Sequence, residues 1–254
     1  MSDDATSVVT RSLEAPGAAT LVLVRHGSTD WNAGGFMTGW ANPALNALGR
    51  EQARNTGAEL QRRGVVPSHV ITSRSARAVD TAGEIVRVLD LALEVRTHWR
   101  LNERHMGALQ GLDRSAATLL YGRERFRDWK RQPHACPPAL DLRDPRHPRH
   151  DDRYADVDPW QLPGTESLVQ LNQRLLEAWV SDIEPVTMTG DTVLVVGHCH
   201  SLRALASFLV GSPERAQDLF SAPADCVTFT RERRGWTLTH DTPSRTVTAR
   251  ECRG

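Results

Sequence analysis

Apolar residues gather into two unbroken runs, LVLV at positions 21–24 and VLVV at 193–196. Neither alternates with polar residues. That is the pattern of strands buried on both faces, as in a parallel sheet covered by helices. Two weaker runs, 65–73 with Val70 and Ile71, and 93–97, predict further strands. Stripes with helical spacing fall between them. Leu48, Ala53 and Leu60 predict a helix over 46–63, capped by Asn46 and stopped by Gly64. Ala78, Ala82, Ile85, Val86 and Leu89 predict one over 76–91, and a further helical segment covers 115–131. Leu168, Leu171, Leu175, Leu176 and Trp179 predict one over 165–183, and Leu202, Leu205 and Phe208 one over 201–210. Residues 226–231 and 236–240, flanking ERRG, read as an antiparallel hairpin. Strand–helix alternation of this kind predicts an α/β fold: a three-layer sandwich, its central sheet mostly parallel, with helices on both faces. One domain over 1–254 is the simplest organisation.

Two regions lack a period. Residues 32–43 are rich in turn formers and read as a loop. Residues 133–163, rich in Pro, Asp, Arg and His, read as an excursion over the surface, part of an inserted cap region spanning 103–163. Its His134, His147 and His150 invite a metal-site reading, but the flanking prolines favour a floppy polar loop, and no metal is expected. Residues 1–19 begin acidic, lack an apolar core and read as a flexible leader rather than a secretory signal. The last residues read as frayed. Basic and acidic residues balance at 31 each, which argues against a nucleic-acid footprint. No apolar stretch approaches a membrane span. Cys136, Cys199, Cys226 and Cys252 are too scattered for a zinc or disulfide framework, so a cytoplasmic location is expected.

The chemistry lies at the strand ends, where open α/β sheets bind ligands. Arg25, His26 and Gly27 follow the first apolar run, and His198 follows the second. Arg77 falls in the first turn of a helix, where it either binds an anion bidentately or is merely solvated. Glu103 stands among Arg100, Arg104 and His105, as a structural ion pair or as a proton donor to a leaving oxygen. Two arginines, two histidines and a carboxylate fit phosphoryl transfer through a phosphohistidine. A neutral imidazole is the nucleophile, and Arg25, Arg77 and a protonated His198 stabilise the three equatorial oxygens.

The motifs RHG at 25–27, TSRSARAVDTA at 72–82 and GH at 197–198 resemble those of the histidine phosphatase superfamily. Within it, FMTGW, WRLNERHMGALQGL, the basic pair after Trp129, GTESL and SLRAL are most similar to the phosphoglycerate mutase branch that uses 2,3-bisphosphoglycerate as phosphoryl primer. That resemblance implies His26, Glu103, Arg25, Arg77 and His198 as the catalytic set. It implies that Asn32, Thr38 and Gly39 touch substrate, joined by Cys199 and His200. It further implies that Arg114, Lys130 and Arg131 hold a second phosphate or a carboxylate. Relatives of this kind are often dimers or tetramers. The chain departs from the branch in three places. Cys199 and His200 stand where the branch has glycine and asparagine, and Met106 where it has tyrosine. The ending is a hairpin rather than a longer alanine-rich tail. The resemblance thus implies a mutase converting 3-phosphoglycerate to 2-phosphoglycerate. A phosphomonoester phosphatase, and an inactive binding or regulatory module, are the alternatives.

Overall fold

The computed structural model describes residues 18–232 and 235–242. Most of the leader, the hairpin turn and the residues after 242 lie outside them. Ala19 does not behave as leader: it is fully buried and its carbonyl accepts from the Arg231 amide.

The elements follow in the order β1 (Thr20–Arg25), α1 (Ala47–Arg62), β2 (His69–Thr72), α2 (Ala76–Val88), β3 (Val95–Thr97), α3 (Arg114–Tyr121) and α4 (Arg123–Arg131). After a long connection come α5 (Leu168–Ala178), β4 (Thr192–Gly197), α6 (Cys199–Val210), β5 (Cys226–Glu232) and β6 (Gly235–Thr242). The sheet order is β3-β2-β4-β1-β5-β6. The first four strands pair in parallel, and β5 and β6 add an antiparallel hairpin along the open edge of β1. β1 and β4 thus lie side by side, with Arg25 opposite Gly197 in the register. The two histidine-bearing strand ends are neighbours for that reason.

Alternate side chains of each central strand point to opposite faces. Leu21, Leu23, Val193 and Val195 pack with Leu171 and Leu175 of α5 and Leu202 and Leu205 of α6. Val22, Val24, Leu194 and Val196 pack with Leu60 of α1 and Ala78, Ala82 and Ile85 of α2. Those two cores are the two interfaces of a three-layer sandwich.

Several local expectations change. Leu48, Leu176 and Phe208 are exposed rather than buried, because each lies just off the buried stripe of its helix. The helix expected over 115–131 breaks at Gly122, whose φ of +86° a side chain would resist. The helix expected from 165 starts at Leu168, where Ser167 and Gln170 form a capping box. The helix expected from 201 starts at Cys199, directly after His198. Residues 133–163 are not floppy. Tyr154, Val157 and Leu162 are buried against Trp40 and Trp99, His147 is buried, and the Tyr154 hydroxyl accepts from the Asn102 amide. Single anchors and two short 3-10 turns, Pro148–His150 and Asp152–Tyr154, take the place of longer elements there, so no period reveals the packing.

The turn after β1 is crowded. A Cβ on Gly27 would stand 2.3 Å from the Gly49 carbonyl oxygen, and one on Gly49 would stand 2.1 Å from that of Ser28. Backbone cannot yield as a side chain can. Gly27→Ala is therefore expected to cost about 1–3 kcal/mol by overpacking, read as a lower urea midpoint. Activity should fall too, since the displaced loop carries His26.

Candidate active site

At the carboxyl edge of β1, His26 is 4% exposed. Its Nδ1 lies 2.7 Å from the Gly27 carbonyl and must donate to it. That hydrogen bond fixes the tautomer and leaves Nε2 with its lone pair. Arg77 Nε donates to that Nε2 at 3.3 Å. Burial, then Arg77, His198 and Arg25, hold His26 well below the ordinary histidine range. The ring is therefore neutral at neutral pH, and its one lone pair, on Nε2, accepts from Arg77 in the free enzyme.

His198 caps α6 from the end of β4, and its ring centroid lies 5.1 Å from that of His26. Its Nε2 lies 2.8 Å from Ser73 Oγ, which itself accepts from the Ser75 amide. The direction of this bond sets the tautomer: with the Ser73 hydroxyl donating, the His198 proton is on Nδ1, and with the ring donating it is on Nε2. Nδ1 is buried and has no hydrogen-bond partner among the described residues. Burial and the charge of Arg77, with Arg25 adding to them, hold His198 well below its ordinary range against the pull of Glu103. The expectation of a protonated His198 is thus corrected for the free enzyme. It is a neutral ring, and it donates through Nδ1 in the tautomer in which Ser73 donates to Nε2.

The arginines are aimed by carbonyls. Arg77 is 1% exposed and donates to the Ala41 and Gly39 carbonyls at 2.8 and 3.0 Å. Burial lowers its pKa to about 10, so it stays cationic at neutral pH. Arg25 Nη1 donates to the Phe220 and Ser221 carbonyls at 3.1 and 2.8 Å.

Glu103 is placed differently from the ring of cations expected around it. Arg100 pairs with Glu177, and the Arg104 side chain donates to the carbonyls of Glu166, Trp129 and Ala135. The Glu103 carboxylate accepts instead from the backbone amides of Arg104 at 2.8 Å and His200 at 3.3 Å. His200 Nδ1 lies 3.4 Å from its Oε1. Burial favours the neutral acid, but His200, His198 and the Arg104 amide outweigh it and hold the carboxyl well below the usual range. Glu103 is ionised in the free enzyme. To act as an acid it must first acquire a proton.

The remaining residues fall in two groups. Gly39 reaches the site through its carbonyl on Arg77, with a φ of +51° that suits glycine. Thr38 beside it is half-buried. Asn32 accepts from the Thr29 amide and hydroxyl in a capping box. Cys199 is buried at the start of α6. Arg114 of α3 and Lys130 of α4 both approach the Phe126 ring, 6.0 and 5.2 Å from its centre. The loop bearing Thr38 and Gly39 is tied to α3 through Met37–Leu112 and Phe36–Asp113, and Arg104 is tied to α4 through the Trp129 carbonyl. Arg131 is exposed on the last turn of α4. Ser73, Trp40 and Arg174 escaped the sequence reading. Trp40 Nε1 and Arg174 Nη2 both donate to the Glu103 carbonyl, at 2.6 and 3.1 Å. Ser73 left a signal by standing at a strand end inside the TSRSARAVDTA stretch, and Trp40 by closing the FMTGW motif; Arg174 left none.

A parallel sheet whose adjacent strand ends present two histidines and two arginines defines a site for a small anion. The chain matches the family described as the histidine phosphatase superfamily (branch 1) over residues 21–146 and 139–241. It belongs to that family and is an enzyme acting on phosphate groups. It is 41% identical over 190 residues to a phosphoglycerate mutase of Candida albicans, spanning 74% of this chain and 77% of that one. Among solved structures, a mycobacterial glucosyl-3-phosphoglycerate phosphatase in complex with VO3 superposes with a TM-score of 0.62 at 26% identity, covering 87% and 96% of the two chains. The putative alpha-ribazole-5'-P phosphatase of Escherichia coli shares the fold, with a TM-score of 0.70 at 24% identity over 89% and 97%.

Proposed function

We propose that the protein transfers a phosphoryl group through a phosphohistidine on a small phosphorylated acid, converting 3-phosphoglycerate to 2-phosphoglycerate. The observation that carries this reading is the tautomer of His26. The Gly27 carbonyl accepts a hydrogen bond from Nδ1, so the lone pair lies on Nε2, which attacks phosphorus as Arg77 Nε turns from it to the phosphoryl oxygens. As the P–Nε2 bond forms, the P–O bond to the substrate breaks and Glu103 gives a proton to the departing oxygen. Arg25, Arg77 and His198 Nδ1 supply hydrogen bonds to the transferred group, the electrostatic preorganisation on which phosphoryl transfer depends. In the return step the free hydroxyl of 3-phosphoglycerate attacks phosphorus, Glu103 takes its proton and the P–N bond breaks; the bisphosphate so formed stays bound and gives its other phosphate back to His26.

A mutase must also hold the acid's second anionic group while the ester turns over. Arg114 and Lys130, sharing the Phe126 ring, are the pair suited to that, with Arg131 nearby in sequence. The same pair fits 2,3-bisphosphoglycerate, which when bound supplies the phosphoryl group that loads His26. A homodimer or tetramer and a cytoplasmic location complete the proposal. Among the described residues, no helix is long and apolar enough to cross a membrane.

A second reading, phosphomonoester hydrolysis, draws on the likeness to the glucosyl-3-phosphoglycerate phosphatase and on Met106, which is buried against Leu109 and Phe126 and brings no hydroxyl. Incubation of 3-phosphoglycerate with the bisphosphate primer separates the two. The expected product is 2-phosphoglycerate, with little free phosphate. Free phosphate alone would replace the mutase by a phosphatase. Neither product, with substrate still bound, would leave an inactive binding module.

A further inference from the structure

Glu103 poses a problem that the core residues do not solve. It is held as a carboxylate by two backbone amides, yet the reaction asks it to deliver a proton. Its side chain is 13% exposed, so solvent reaches it poorly. The groups that face it are His200, His198 and, more distantly, Arg77. His198 is fully buried and its Nε2 is engaged with Ser73. Arg77 is directed at two carbonyls and at His26, not at the carboxylate. Arg203, on the next turn of α6, is turned away to the Leu219 carbonyl and the Ser221 hydroxyl. Cys199, the residue before His200, is buried. Of the groups facing the carboxylate, His200 alone carries a proton-binding ring that is open to water, its side chain 38% exposed with Nδ1 3.4 Å from Glu103 Oε1.

We propose that His200 is the proton relay of Glu103, passing protons between solvent and the buried carboxylate. The proposal rests on the phosphohistidine reading above. Imidazolium Nδ1–H gives its proton to Oε1, leaving neutral imidazole and a carboxylic acid. The acid then protonates the oxygen leaving phosphorus. In the return step Glu103 takes a proton from the attacking hydroxyl and hands it to His200, which releases it to water. His200 acts through Glu103 and is a positioning residue for the proton, not a contact of the transferred group.

The test compares wild type, His200→Asn and His200→Ala, using 3-phosphoglycerate, whose alkoxide must be protonated, and p-nitrophenyl phosphate, whose leaving group departs without a proton. Rapid-quench labelling of His26 reads the first step. His200→Asn is expected to lower the labelling rate with 3-phosphoglycerate about tenfold, at the low end of general acid–base effects. KM should stay within about twofold, and the loss should be smaller with p-nitrophenyl phosphate. The proton that the pair shares must then reside on Glu103 alone, so the basic limb of the pH profile should move toward acid. Added imidazole should restore part of the rate in His200→Ala. A loss confined to KM would make His200 a substrate contact and overturn the relay. So would equal losses with both substrates, or an unmoved basic limb. A wild-type chain that never carries phosphate on His26 would overturn the phosphohistidine reading and the relay with it. Normal wild-type labelling with an unmoved limb overturns the relay alone.

Discussion

His26→Ala is expected to abolish phosphate labelling of the protein and to lower turnover on the order of 10⁴-fold or more, the scale seen when a catalytic nucleophile is removed. The expectation follows from the absence of a substitute. His198 is the nearest ring, but its Nε2 is tied to Ser73 Oγ and its Nδ1 is buried with no partner among the described residues to anchor it as Gly27 anchors His26. His198→Asn should therefore behave differently: labelling persists while the rate drops about 10²–10³-fold, the usual result of deleting one donor to a developing anion. Acid-labile label on wild type, reduced but present in His198→Asn and absent from His26→Ala, is the pattern to find. Label surviving in His26→Ala would refute the nucleophile assignment. The pH dependence has a definite sign. Burial, Arg77, His198 and Arg25 keep His26 unprotonated well below its ordinary range, so labelling should not fall through pH 6.5 on account of this ring. Stability has an acid limit of its own. His26, His105 (lowered to about 3, chiefly by burial) and His198 all bind protons less readily folded than unfolded. Their contribution is complete above the unfolded histidine range near 6.5 and is lost progressively as pH falls below it.

The parts of this molecule that were legible in the sequence are those where one physical pattern had no competitor. The continuous apolar runs of β1 and β4 can only be buried on both faces, and the sandwich follows from them. The histidines at their ends then become neighbours by strand pairing alone. Segment 133–163 was illegible for the opposite reason. Its packing rests on Tyr154, Val157 and Leu162, single anchors at irregular spacing among prolines and charges, and such spacing has no period to detect. Side-chain charge was equally hard to foresee. Arg100 and Arg104 flank Glu103 in the chain, yet both turn away from it, while His200, 97 positions on, comes to meet it. Protonation states depend on those long-range choices. A sequence can nominate His198 and Glu103, but not tell that the first is neutral and the second ionised in the free enzyme.

Arg174→Ala is expected to be the most destabilising single change outside the apolar cores. Arg174 and Glu166 form an ion pair with side chains 7% and 4% exposed, joined by contacts of 2.6 and 2.8 Å. Glu166 Oε2 also accepts from the His105 amide at 2.8 Å, and Arg174 donates to the carbonyls of Arg100, Asn102 and Glu103. The pair therefore clamps the irregular stretch that carries Glu103, just past the single 3-10 turn at Trp99–Leu101. Removing the guanidinium strands a buried carboxylate and leaves three carbonyls without that donor. The cost expected for breaking a buried pair from one side is about 3–5 kcal/mol, read as a fall in the urea midpoint at unchanged slope. Replacing both partners, as in Arg174→Met with Glu166→Leu, removes the stranded charge but not the stranded carbonyls. The double variant should recover only part of the stability, and its excess over the single variant measures the charge penalty. Catalysis supplies an independent readout. Glu103 loses one of the two donors holding its carbonyl, Trp40 being the other. Turnover should thus fall in the double variant even where it is fully folded, with the loss in kcat rather than KM. A double variant with wild-type kcat would show that Trp40 alone suffices to hold Glu103 in place.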